Sequence, residues 1–212
     1  MTAHLLSRTT SSRDRDRPAL SFLDGMALPL ARAHEFCGDA RRTLAALVAA
    51  RTEGPVFWIS PSWQPERLNP EAAAHLFDPG RVVFLEPQRA EDLLWCLEEV
   101  LRAGVVPLAV ADLPGPPGMT AVRRLHLAAE TGAAEGEVAP LGLILTPGDG
   151  GAPGIESRWR MRSAHGMQAD ASGKLRQGWH LHRLRARTAP VQGWQVNLSP
   201  QGLRAAPLSE AA

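Results

Sequence analysis

Lysine is almost missing from this chain. Of 23 basic side chains one is a lysine, Lys174, and 22 are arginines. Cysteine is scarce as well, with only Cys37 and Cys96. There is no C-x-x-C pair and no His/Cys cluster, so a zinc site is not expected; both thiols read as free core residues. No run of 18 apolar residues occurs, which excludes a membrane-spanning helix of ordinary length. The stretch from Met1 to Arg17 has no apolar core of a signal peptide and is rich in Ser, Thr, Arg and Asp, so a disordered tail and a cytoplasmic protein are expected.

The most informative absence is a phosphate loop. Residues 34–50 run His-Glu-Phe-Cys-Gly-Asp-Ala-Arg-Arg-Thr into an alanine and leucine helix. This is how a nucleotide-binding α/β domain opens. A working loop has the form G-x-x-x-x-G-K-[ST], whose N–H groups cradle phosphates, whose lysine reaches them and whose hydroxyl binds magnesium. Between Gly38 and Thr43 there is neither a second glycine nor a lysine. The frame of an ATPase is present without its chemistry, so no cofactor, metal or catalytic residue is expected.

The chain of 212 residues is 44% hydrophobic, enough for one domain with a full core. Charge is divided unevenly. Residues 1–150 hold 14 arginines against 19 acids, whereas residues 151–212 hold 8 arginines and the lysine against 3 acids. A basic C-terminal third suits an acidic partner.

Periodicity divides the chain in the same place. Leu20 to Phe36 reads as a lead-in with a turn at Asp24-Gly25. Asp39 is a candidate N-cap for a helix over 40–51. Val56–Ser60, Arg81–Leu85, Val105–Leu113 and Leu141–Leu145 are continuous apolar runs, as expected of strands buried on both faces. Helices are predicted over 71–76, 89–103 and 120–131, the second with Gly104 as C-cap and the third stopped by Gly132. From Ser157 the pattern alternates with period two, over 157–163, 179–185 and 194–198, predicting half-exposed antiparallel strands. The sum is a mixed sheet with a parallel core and a C-terminal antiparallel extension. The domain is expected over 20–200, with tails at 1–19 and 201–212.

Several segments together resemble a known family. His34-Glu35-Phe36-x-Gly38, the Trp58-Ile59 strand, Glu91-Asp92-Leu93-Leu94-Trp95, Arg123-Arg124-Leu125-His126-Leu127-Ala128-Ala129-Glu130 and Ser157-Arg158-Trp159-Arg160 occur in that order. In combination they are similar to ImuA-type proteins, the RecA-like and SulA-like accessories of bacterial damage-induced mutagenesis. The resemblance spans roughly residues 20–198 and implies a RecA-like three-layer α/β fold. It also implies a non-catalytic role in the SOS translesion-synthesis complex. The implied partners are an ImuB-type Y-family polymerase homologue, RecA, an error-prone DNA polymerase and DNA. Two alternatives stay open: a SulA-like inhibitor of cell division, and a weak ATPase with a nonstandard loop at Gly38 to Thr43. By analogy with RecA-like assembly, Leu28 to Phe36 and the N-terminal tail are candidates for contact with a neighbour.

Individual residues allow sharper and plainer readings. Asp112 ends a strand where a magnesium-binding carboxylate would stand, or it caps the next turn; the missing lysine favours the cap. Glu35 and Thr43 read as structural, and His180 and His182 as exposed strand residues sharing a face. Arg123 or Arg124 is expected to pair with Glu130 or a loop carboxylate, with phosphate binding as the alternative. Arg158, Arg160 and Arg162 alternate on one strand, and Arg183, Arg185 and Arg187 on another. If the strands pair, a six-arginine face results, either a solvated outer face of the meander or one suited to an acidic partner or to DNA phosphates.

Overall fold

The computed structural model describes residues 17–164, 178–199 and 202–208. Among the described residues a hairpin of β1 (Ala19–Leu23) and β2 (Met26–Pro29) comes first, turning at Gly25. The main sheet has nine strands among the described residues. They are β3 (Arg32–Cys37), β4 (Val56–Ile59), β5 (Val82–Leu85), β6 (Leu108–Asp112) and β7 (Leu141–Thr146), followed by β8 (Ser157–Ser163), β9 (Gly178–Ala186), β10 (Gln192–Ser199) and β11 (Gly202–Pro207). Their spatial order is β11-β10-β9-β8-β3-β7-β6-β4-β5. From β5 to β8 all neighbours are parallel; β9, β10 and β11 continue antiparallel. The fold is thus α/β with a large mixed sheet, as the sequence pattern predicts.

Among the described residues four α-helices cover the sheet: α1 (Arg41–Ala49), α2 (Pro70–Ala74), α3 (Ala90–Ala103) and α4 (Met119–Glu135). One apolar cluster unites α1, α2 and the hairpin with one sheet face, through Leu28, Leu44, Leu47, Trp58 and Trp159. A second lies under α3 and α4, through Leu93, Leu97, Leu101, Val122 and Leu125. The amphipathic stripe of α3 supplies its inner side, and Gly104 ends that helix in the left-handed region at φ +61.

Several expectations need correcting. Leu28 to Phe36 is no free lead-in: β3 is the strand between β7 and β8, and Leu28 and Phe36 are fully buried. The Arg, His and Glu of β3 disguise a central strand, because their partners come from distant elements. Arg81–Leu85 is not a doubly buried strand either. β5 is the sheet's edge, and Val83 and Phe84 are exposed.

Gly132 does not stop α4. It is buried within the helix, where a Cβ would lie 2.0 Å from the Leu101 carbonyl oxygen, so glycine here permits α3 and α4 to touch backbone to backbone. Of the expected tails, residues 1–16 and 209–212 lie outside the described residues. Ala19 already belongs to β1, and Gly202–Pro207 form β11 against β10. Among the described residues no helix is long and apolar enough to cross a membrane.

Candidate functional site at the ends of the parallel strands

In open α/β sheets the binding crevice lies beyond the strand C-termini, where successive connections leave toward opposite faces. Here β3 leads through Gly38-Asp39-Ala40 into α1 on one face, and β6 leads into α4 on the other. Asp112 ends β6 at that point and is 1% exposed. Its Oδ2 accepts from Arg42 Nε at 2.5 Å, and its Oδ1 lies 3.7 Å from Arg41 Nη2. Both arginines come from the first turn of α1. The capping reading of Asp112 is therefore corrected: its carboxylate is held by arginines 70 and 71 positions earlier in the chain.

The turn itself is closed. Gly38 has φ +91, and a Cβ there would stand 2.2 Å from the Met161 carbonyl oxygen. The Gly38 N–H donates to Gly148 O at 2.9 Å, and the Ala40 N–H to Met161 O at 3.1 Å. These donors sit where a phosphate loop would present N–H groups to its ligand, and protein carbonyls take them instead. Asp39 is not the N-cap. Helix α1 starts after Ala40 with no side-chain cap, and the Asp39 carboxylate accepts from the Ser163 N–H at 3.2 Å. It ties the start of α1 to the end of β8.

Behind the turn, Glu35 organises the glycine-rich connection from β7 to β8. It is fully buried and accepts from Thr146 Oγ1 at 2.8 Å, the Gly151 N–H at 2.8 Å, the Ala152 N–H at 3.1 Å and Arg158 Nε at 2.5 Å. The structural reading of Glu35 agrees with this arrangement. A buried carboxylate persists only when paired and hydrogen-bonded, and these four donors supply both.

The six candidate arginines do not form one face. Arg158 turns inward to Glu35 and to Ala152 O. Arg160 and Arg162 both reach Asp149 Oδ1, at 3.2 and 2.8 Å. The pairing of β8 with β9 slips at Arg158/Trp159, so that Arg185 faces Arg158 whereas Arg183 faces Trp159. This bulge puts Arg183 and Arg185 on opposite faces, and Arg183 keeps that of Leu181, where its guanidinium stands 5.4 and 5.3 Å from the Trp159 and Trp194 ring centroids. Arg185 is exposed, and Arg187 lies beyond β9 with Nε 3.4 Å from Glu156. Trp159 and Met161 are core residues, as the alternation predicts.

The remaining candidates are placed as follows. His180 and His182 share a face, opposite Arg162 and Arg160, but they are half-buried rather than exposed. Burial, with Arg160 next, holds the His182 imidazole below its ordinary value. Arg124 pairs not with Glu130 but with Glu98 of α3, at 2.7 Å; Glu130 takes Arg32. Thr43 is half-buried in α1. Both cysteines are free thiols, Cys37 buried and Cys96 half-buried. Burial of Cys37, with the nearby Glu35, pushes its thiol up to about 12, so it is inert as a nucleophile.

Sequence reading missed Arg41, Arg42 and Asp149. The first two stood in plain view as a doubled arginine three residues after Gly38, where the search was for lysine. Among the described residues no cluster of three or more His, Cys, Asp or Glu could hold a metal ion. No protein-family model matches the chain, and no curated protein matches it.

Proposed function

We propose that this chain is a non-catalytic accessory protein of the bacterial SOS-induced mutagenesis complex, with a RecA-like fold that has lost its nucleotide site. The observation that carries this reading is the closed crevice. Arg42 and Arg41 of α1 converge on the one carboxylate that a magnesium–nucleotide complex would need, and the N–H groups of Gly38 and Ala40 are bonded within the protein. The mixed sheet, the glycine turn ahead of α1 and the acid ending β6 support the RecA-like part. The ordered segments similar to ImuA-type proteins support the setting.

In that setting the protein is cytoplasmic and links an ImuB-type Y-family polymerase homologue to RecA or to the DNA on which an error-prone polymerase works. Its action is through surfaces. Co-purification from the native host after DNA damage tests this. Recovery of the Y-family-like subunit or RecA is the expected result; recovery of the tubulin-like division protein alone would replace the proposal with the SulA-like inhibitor. Saturable ATP binding lost in Thr43→Ala would replace it with the weak ATPase.

A further inference from the structure

Strands β8 to β11 carry six arginines and not one aspartate or glutamate. Their two faces differ sharply. One sends Trp159, Trp179 and Trp194, with Met161, Leu181 and Val196, into the core. The other carries Arg160 and Arg162 of β8, with His182 and His180 of β9 in register with them, Arg185 of β9 opposite Arg158, and Gln195 of β10 opposite His180. The helices of that side, α3 and α4, lie over β3, β4, β6 and β7 instead. The result is a basic, polar sheet surface at one end of the molecule.

Among the described residues one carboxylate pairs with Arg160 and Arg162. Asp149, from the connection that Glu35 anchors, is exposed and meets both Arg160 and Arg162. Two guanidiniums share its single charge, and Arg185 has exposed charge of its own. Arg160 Nε is buried without a hydrogen-bond acceptor, although the residue is half-buried at the surface. Among the described residues the surface therefore has donors and positive charge in excess of its acceptors.

We infer that this face binds the phosphodiester backbone of nucleic acid, with Asp149 occupying the place of a phosphate until the strand arrives. Planar guanidiniums on a strand suit phosphate oxygens, which accept two parallel N–H bonds. The three tryptophans of β8, β9 and β10 all face the core, so no aromatic platform is offered to bases and binding is independent of base sequence. The surface gives the accessory role proposed above its DNA contact, and its biological setting rests on that role. The two fail separately: co-purification tests the complex, and the measurement below tests the surface alone.

The experiment is fluorescence anisotropy of a labelled mixed-sequence single-stranded oligonucleotide with the full chain, across a salt series. Binding is expected to weaken linearly in log–log form as salt rises. Arg162→Glu with Arg185→Glu, both at exposed positions, is expected to weaken binding to every sequence and to flatten the salt slope by about 2. Asp149→Asn is expected to tighten binding about twofold to fivefold, the size of an exposed ion pair. That gain cannot come from misfolding. Absence of binding at low salt, or binding indifferent to all three substitutions, would overturn the inference. Equal competition by a polyglutamate peptide would overturn it too, in favour of an acidic protein partner.

Discussion

Arg42 Nε and Asp112 Oδ2 meet at 2.5 Å across the C-terminal ends of the parallel strands, joining the first turn of α1 to the end of β6. The carboxylate is 1% exposed, and Arg42 keeps about a fifth of its side chain in solvent. Removing one member of such a pair leaves the other buried without its counter-charge, which costs more than the pair contributes. Asp112→Ala is expected to destabilise the fold by about 2–4 kcal/mol in urea denaturation. Combining it with Arg42→Ala should cost much less than the sum of the two. Additive losses would show that the residues act independently.

Gly38→Ala tests the closed turn. The backbone at φ +91 disfavours any Cβ, and the one introduced would collide with the Met161 carbonyl. A loss of at least about 2 kcal/mol is expected. A thermal midpoint equal to that of the parent would mean that the turn relaxes freely and that α1 and β8 are not locked together.

His34 and His126 make the fold sensitive to acid. Burial lowers both to about 4, against an ordinary value of 6.5, although the carbonyls of Pro29 and Gly154 act in the opposite direction. His34 also meets Ser157 Oγ at 2.7 Å, and His126 Nδ1 accepts the Ala33 N–H at 3.3 Å. Because the folded values lie below the unfolded ones, the unfolded chain takes up protons first. Stability is complete above about pH 6.5 and is lost as pH falls toward 4, by on the order of 3 kcal/mol for each histidine. Urea melts between pH 7.5 and 4.5 should slope accordingly, and the slope should shrink in His126→Gln. A flat profile would mean that neither imidazole is held neutral.

At Gly132 the two helices of one layer touch backbone to backbone. A Cβ at Gly132 would lie 2.0 Å from the Leu101 carbonyl oxygen, and one at Gly104 would lie 2.2 Å from that of Gly132. Gly132→Ala removes a helix-weakening residue, worth about 1 kcal/mol in an isolated helix. The contact reverses that sign here, and a net loss of about 1–3 kcal/mol is expected from calorimetry. Stabilisation would show that α3 and α4 can separate without penalty.

The legibility of these features follows from physics that is local or distant. The runs Val56–Ile59 and Leu141–Thr146, the stripe of α3 and the alternation of β8 to β10 were readable because each encodes its burial within a few residues. β3 was not readable as a central strand. Glu35 is neutralised by Arg158, 123 residues away, and by N–H groups of a connection after β7. The same distance hid the role of Asp112. The bulge that separates Arg183 from Arg185 leaves no mark in an alternating sequence, since it is set by how β9 meets β8. The exposed edge at β5 was misread because its apolar residues look the same whether covered or bare.

The two ends of the sheet are treated differently. At β11 the Ala205 N–H donates to Asp24 of the hairpin at 2.8 Å, and Pro207, two positions on, has no N–H to offer. At β5, Val83 and Phe84 stand exposed on the outermost strand. An edge so blunted refuses a further strand, whereas an edge left open accepts one.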